Sequence, residues 1–339
     1  MEQKPATIKE IASRLNVSVS TVSRALHNHP SIGLRTKMQV QKLAHELNYE
    51  PNQAAISFKQ GKSMTLGVIL PNLGEEFFSI AISGIEDQAT LNNYTVLIGQ
   101  SRDDTEREKK IADTMRRHRV DGILVSLAKT TRSIDHFSQL RKYNIPVVFF
   151  DRVPDDPDAW SVSCNLDHCT EELVDRLVER GHRRIAFIKG PDTLVHTRQR
   201  LQGYQAGLKK HGIEPESSFV VSTDLTAGKT ADAMHKLLAL KNRPTAVIAF
   251  NDYVALDAIK YTRSQGVIIN RDIYFASYAN LPLTGYLDDP LLASVEQFPY
   301  QQAEKATELL FKMIQEKGAV SGKPEKIVIG SKVVVHTVD

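Results

Sequence analysis

The sequence predicts two architectures in one chain: an all-α helix-turn-helix head over residues 1–50, and an α/β core over 64–339 built as two doubly wound parallel-sheet lobes. Three observations carry this. The first fifty residues hold three short apolar stripes at helical spacing, and from Thr65 onward short β-rich runs alternate with longer helical ones. Charge is also unevenly spread. Nine Lys and Arg against four Asp and Glu give residues 1–62 a charge of +5, whereas the whole 339-residue chain carries +3, so the remainder is at −2. A small basic head on a faintly acidic body points to a polyanion partner for the head alone.

In the head, Thr7 caps a first helix whose apolar positions Ile8, Ile11, Ala12 and Leu15 fall on one face. Asn16 supplies the left-handed residue for a sharp turn. Ser18 then caps a second helix in which Val22, Ala25 and Leu26 point back at the first, and a third stripe follows at Val40, Leu43, Ala44 and Leu47, stopping before Pro51. Three helices with a three-residue turn between the first two form a helix-turn-helix arrangement. The stretch "VSVSTVSRAL" suits a recognition helix, since short hydroxyls let the backbone approach DNA closely. Ser18, Thr21 and Ser23 suit phosphate oxygens, with Thr7 at the edge of the same surface. Val19, Ser20 and Arg24 are left for base edges, Arg24 being suited to bidentate reading of guanine.

In the core, strands are expected at 65–71, 95–101, 121–127 and 145–152, all reading as buried, and then at 184–190, 218–223, 245–251 and 273–278. Helices such as 78–91 and 105–117 separate them. Two α/β halves of similar size imply two lobes facing a cleft, with ligands at the carboxyl ends of the strands. The final segments are expected to cross back, giving a first lobe of 64–162 plus 292–322 and a second of 163–291 plus 323–339.

Several runs carry a resemblance. "TIKEIASRLNVSVSTVSRAL", "LNYEPNQAA" and "GKS" in the head, and "FFSIAISGIEDQA", "RVDGILVS", "GHRRIAFIKG", "RQRLQGY", "AFND" and "DDPLLASVEQ" in the core, resemble the lactose-repressor/galactose-repressor family of bacterial transcription regulators. The resemblance covers nearly the whole chain. It implies a type I periplasmic-binding-protein-like core and a DNA-binding regulator, a repressor acting as a homodimer on palindromic double-stranded operator DNA. It also implies a hinge helix and linker over 51–63, with Asn52, Ala55 and Phe58 at the minor groove. Phe58 stands where the family usually wedges a leucine, and Ile56 where a polar or basic residue is usual.

For the cleft, the resemblance assigns effector contacts to Phe77, Phe78, Asp151, Arg152, Arg200, Asn251 and Asp252. A guanidinium fork and carboxylate or amide groups at strand ends are what a polar, sugar-sized ligand needs. Two departures matter: Ala279 and Asn280 replace the family's usual strand-end acid, and Leu225 stands where an aromatic often stacks on ligand. A larger, anionic or phosphorylated sugar is therefore also in view, and sugar metabolism is the implied regulon.

Other chemistry is not supported. The runs "GKS" at Gly61 and "GKT" at Gly228 lack the preceding P-loop glycine, since Ile56 and Thr223 occupy that place. No nucleophile elbow or metal-spaced histidine pair occurs, and Cys164, Asp167, His168 and Cys169 fit no zinc pattern. The acidic pairs Asp103–Asp104, Asp155–Asp156 and Asp288–Asp289 read as solvated turns. No enzyme, cofactor or metal is expected. The N-terminus lacks a secretory profile and no 18-residue apolar run occurs, so a cytoplasmic location without membrane contact is expected. The alternative, a solute-binding protein without DNA function, shares the two-lobed core but leaves the basic head unexplained.

Overall fold

The computed structural model describes residues 6–50, 61–316 and 323–336 and divides the chain into a unit ending at Ser63 and a unit beginning at Met64. The expected hinge contacts Asn52, Ala55 and Phe58 lie outside the described residues.

The head is three helices: α1 (Ile8–Leu15), α2 (Val19–Leu26) and α3 (Leu34–Glu46). Thr7 Oγ1 accepts the Glu10 amide at 3.3 Å and Ser18 Oγ the Thr21 amide at 3.1 Å, so both helices start at the residues whose side chains can satisfy an orphan N–H. Asn16 takes the left-handed conformation (φ 51°, ψ 45°). This turns the chain within three residues and lets the Val17 amide reach back to the Ala12 carbonyl at 3.0 Å. Ile11, Ala12, Val22, Ala25, Val40 and Ala44 form the buried centre.

The core holds two six-stranded sheets. The first contains β1 (Thr65–Leu70), β2 (Thr95–Gln100), β3 (Gly122–Val125), β4 (Val147–Phe150) and β5 (Trp160–Cys164). Their helices are α4 (Glu76–Leu91) and α5 (Thr105–Arg117). The second lobe runs α6 (Asp167–Glu179), β6 (Ile185–Lys189), α7 (Val195–Lys210), β7 (Val220–Ser222), α8 (Ala227–Leu238), β8 (Ala246–Ala249), α9 (Asp252–Ser264), β9 (Tyr274–Tyr278) and β10 (Ala293–Glu296). Helix α10 (Pro299–Gln315) then returns to the first lobe, followed by β11 (Lys326–Ile329) and β12 (Lys332–Val335). The strand orders are β11-β5-β4-β3-β1-β2 and β12-β10-β9-β8-β6-β7. Among the described residues all pairings are parallel except β10 with β12. Each order reverses once, at β1/β3 and at β6/β8, which opens a crevice at those strand ends.

Three expectations need correction. The last third of the chain does not divide at 292 and 323: β10 pairs with β9 in the second sheet, α10 lies against α4 and β4 of the first lobe, and β11 pairs with β5 in the first sheet. The chain therefore crosses between lobes three times, near 165, 297 and 330. A short β-rich run does not reveal which sheet edge it will join, because either edge satisfies the same pattern. Strand β2 is parallel as expected but not buried, since as an edge strand it leaves Leu97 and Ile98 more than a third exposed. Strand β5, "WSVSC", has no counterpart in the sequence-based strand set.

Close helix packing explains one glycine of "RQRLQGY". A Cβ on Gly203 of α7 would lie 2.2 Å from the main-chain oxygen of Asp167 at the start of α6. Gly203→Ala is expected to destabilise the core by roughly 1–3 kcal/mol, because backbone must move to admit the methyl group. Urea unfolding followed by fluorescence of Trp160 measures it.

Candidate functional site

The head presents one surface around the N-terminal half of α2. Ser18, Val19, Ser20 and Arg24 are exposed, Thr21 and Ser23 are half-buried, and Thr7 is exposed at the start of α1. Ser18 Oγ lies 2.8 Å from the hydroxyls of both Ser20 and Thr21 while capping the helix. Much of its hydrogen-bonding capacity is thus committed to holding the helix start. The apolar positions Val22 and Ala25 face inward, so the side chains expected at DNA share the outward face by geometry rather than composition alone.

In the core, the cleft between the lobes is lined by Glu75, Phe77, Phe78, Asp151, Arg152, His196, Arg200, Phe250, Asn251, Tyr253, Ala279, Leu281 and Gln297. Each follows the carboxyl end of a strand, which is where a doubly wound sheet leaves space. Six of the seven expected residues meet there: Phe77, Phe78, Asp151, Arg152, Arg200 and Asn251. The remaining volume is about 40 Å³, room for a few waters, so a sugar-sized ligand requires the lobes to part. Bridges across the mouth hold them together. Arg198 pairs with Asp155 at 2.7 Å, Lys129 Nζ donates to the Asp224 carbonyl at 2.6 Å, and the Glu76 amide donates to the Tyr253 hydroxyl at 3.2 Å.

The two cleft arginines are stabilised differently. Arg152 is buried, with Asp103 Oδ1 at 2.6 Å and Glu75 Oε1 at 3.8 Å. Burial opposes its charge, but these carboxylates and Asp151 outweigh burial and raise its pKa. Arg200 donates to the Phe250 carbonyl at 2.5 Å and lies between the rings of Phe250 and Tyr278, at 4.4 and 4.1 Å from their centroids. Burial lowers its pKa to about 10, so it remains a cation at neutral pH, supported by π faces. Asp151, at φ 56°, accepts the Ser126 hydroxyl at 3.2 Å, and burial pushes its pKa up. Phe77 and Phe78 pack edge to face at 5.3 Å. Asn251 Oδ1 accepts the Val254 amide at 2.9 Å and so caps α9.

Asp252 is a correction. It is fully buried and absent from the cleft lining. Its Oδ1 accepts the hydroxyls of Ser277 and Ser294, the latter at 2.8 Å, and Oδ2 accepts the Leu281 amide at 2.7 Å. As the first residue of α9 it faces the sheet, so its carboxylate holds the segment after β9 instead of a ligand. Asn280 also donates its amide to Ser294 Oγ at 2.9 Å. This fixes two successive left-handed residues, Ala279 (φ 104°) and Asn280 (φ 49°), and Leu281 is driven into the apolar cluster beneath α4 of the first lobe. Leu225 likewise lines no part of the cleft; it packs on the second-lobe core.

Sequence reasoning missed Glu75, Asp103 and His196. Asp103 follows β2 and is no solvated turn: it accepts from Arg152 and from the Lys129 amide at 2.9 Å. Its place after a strand was the available signal. His196 lies four residues before Arg200 and therefore on the same helix face.

Comparison with known proteins assigns this arrangement. The family model "Bacterial regulatory proteins, lacI family" matches residues 7–52, and "Periplasmic binding proteins and sugar binding domain of LacI family" matches residues 63–334. The chain belongs to the lacI family. It is a DNA-binding transcriptional regulator with an effector-binding core, not a solute-binding protein alone. Among lacI-family relatives, the HTH-type transcriptional repressor CytR of Escherichia coli (strain K12) is 32% identical over 323 residues, 95% of this chain and 93% of the relative. The solved transcription regulator CcpA of Lactococcus lactis is similar with 26% identity and a TM-score of 0.72, over 80% of this chain and 97% of that one. The lac repressor dimer bound to operator and the anti-inducer ONPF shares the fold, with 24% identity and a TM-score of 0.83 over 98% of both chains.

Asp252→Ala is expected to lower core stability by about 3 kcal/mol, since the Leu281 amide and two buried serine hydroxyls lose their acceptor. The pH dependence follows from burial, which raises the Asp252 pKa from 3.8 to about 6 against the pull of its three donors. The folded state then binds this proton more readily than the unfolded one, so the Asp252 contribution to stability falls as pH rises through that window. Urea titrations of wild type and Asp252→Asn between pH 4 and 7 read the difference.

Proposed function

We propose that this lacI-family chain is a homodimeric repressor that binds a palindromic operator and changes its DNA affinity when an uncharged sugar or sugar derivative enters the inter-lobe cleft. The observation that carries the DNA half is the capped α2, which turns Val19, Ser20 and Arg24 outward from a three-helix head in a basic segment. Residues of that type at the start of a recognition helix reach base edges while hydroxyls and main-chain amides meet phosphate.

The effector half is supported by the cleft. Two buried guanidinium groups, a carboxylate and an aromatic pair converge there, as a polar ring requires. Neutrality of the ligand is supported by the charge balance: Arg152 is already paired, and Asp151 and Glu75 line the same space. This departs from the anionic alternative raised by the sequence. Self-association is supported by exposed apolar side chains, Leu91 at the end of α4, Leu97 and Ile98 on edge strand β2, and Tyr286. That the family's relatives are transcriptional regulators supports a non-enzymatic role. A transcription regulator of this kind works in the cytoplasm, and among the described residues no helix is long and apolar enough to cross a membrane.

The test is binding of the full-length protein to a labelled palindromic operator and to a scrambled duplex. Preference for the palindrome, with affinity falling steeply as salt rises, is the expected result. Equal binding to both at low salt would reject the operator reading. Arg24→Ala is expected to cost roughly 1–3 kcal/mol at one base position in each half-site. A uniform loss over all sequences means Arg24 touches phosphate only.

A further inference from the structure

Among the described residues lining the cleft, His196 and Arg200 keep buried polar atoms without a partner, Nε2 of the imidazole and Nε of the guanidinium. They are one turn apart on α7 and share its inward face. The other imidazole nitrogen, Nδ1, faces Asp151: the carboxylate Oδ1 is 3.9 Å away, and the Asp151 main-chain carbonyl favours a proton on the ring. Burial, then the neighbouring charges of Arg200 and Arg152, push the imidazole pKa well below its ordinary 6.5. The ring is therefore neutral, and with Asp151 on the Nδ1 side and no partner at Nε2 the single proton belongs on Nδ1. Nε2 is left as an acceptor facing the cleft that no protein donor meets.

A ligand satisfies both atoms by bringing a donor to Nε2 and an acceptor to the Arg200 Nε–H. A hydroxyl does both, and neighbouring hydroxyls do so over the spacing of one helical turn. A phosphate ester at the 5- or 6-position leaves that diol in place, so what distinguishes it from its parent is charge. At neutral pH it brings negative charge towards Asp151 and Glu75, with Arg152 already held by Asp103.

Resting on the reading of this cleft as the effector site, we propose that His196 sets the chemical class of the effector. Its Nε2 accepts a hydrogen bond from the hydroxyl of an uncharged vicinal diol, which in turn engages Arg200, while the Asp151 and Glu75 carboxyl groups disfavour the added charge of the phosphate ester. The diol belongs to a free saccharide or to the ribose of a nucleoside, and the sugar is read in the same way in both.

The experiment is thermal unfolding of the full-length protein with D-ribose, D-glucose, cytidine, uridine and adenosine, each compared with its 5- or 6-phosphate ester. At least one neutral probe is expected to raise the midpoint, with its ester at least tenfold weaker. Whether the responder is a sugar or a nucleoside identifies the source of the diol. His196→Leu is expected to weaken that probe tenfold or more, and His196→Gln, whose side-chain oxygen can accept, to recover most of the loss. A deoxy analogue lacking the contacting hydroxyl binds wild type weakly but loses little further on His196→Leu. Nitrogen-15 NMR of the ligand-free protein supplies a readout independent of any ligand. It is expected to show His196 protonated on Nδ1 and neutral at pH 6.5, because burial and the charges of Arg200 and Arg152 outweigh the Asp151 carbonyl. A proton on Nε2, an ester binding as tightly as its parent, an indifferent His196→Leu, or no response to any neutral diol overturns the inference. Operator binding of the wild-type protein, measured in parallel, separates this from the regulatory reading, whose failure would leave the ligand result standing.

Discussion

Everything in the core depends on how the chain passes between the two sheets. At the crossings the strands are joined by hydrogen bonds that belong to neither lobe alone. The Asn165 amide donates to the Ile329 carbonyl at 3.1 Å, the Ser331 hydroxyl donates to the Asn165 carbonyl, and the Cys164 thiol donates to the Gln297 carbonyl at 2.9 Å. Gln302 at the start of α10 donates to that same carbonyl at 2.8 Å. Three passages in one place permit the lobes to open and close but resist sliding. The carboxyl ends of β1, β4, β6, β8, β9 and β10 are thereby kept facing one another, and the cleft is the space they share.

Within that space, a buried cation is held in two contrasting ways. Arg152 is tied by carboxylates of its own lobe, so its geometry does not require the other lobe. Arg200 depends on ring faces, a main-chain carbonyl and Gln297 at 3.5 Å, and it keeps Nε free. The first behaves as fixed scaffolding for Phe78, which its guanidinium overlies at 5.7 Å. The second is a preorganised donor with hydrogen-bonding capacity in reserve, the property that makes a site selective for ligands with matching acceptors.

Legibility in the sequence followed the range of the interactions. Thr7, Asn16 and Ser18 set helix ends through contacts within five residues, and each was readable from its own chemistry. The α/β alternation was readable because buried parallel strands are apolar throughout, yet β5 escaped: "WSVSC" intersperses two serines and resembles no such run. The allocation of β10 and β11 to opposite sheets depends on ladder partners more than a hundred residues away for β11, which no local pattern encodes. In the cleft, the aromatic pair and the arginines were found by resemblance. Asp252 was misjudged because one residue of difference from Asn251 turns a side chain from the cleft to the sheet, and Asp103 because an acidic pair looks the same in a turn and in an ion pair.

Leu281 gives the closed state a calorimetric character. It is a second-lobe residue, yet only 2% exposed within an apolar cluster made largely of first-lobe side chains, with Leu283 packed beside it. Parting the lobes draws this pair out of its socket and hydrates both the leucines and the cluster they leave. Hydrating apolar surface raises heat capacity. An effector that holds the cleft open would therefore bind with a heat-capacity change less negative than its own burial implies, while one that seals the cleft would show the full negative value.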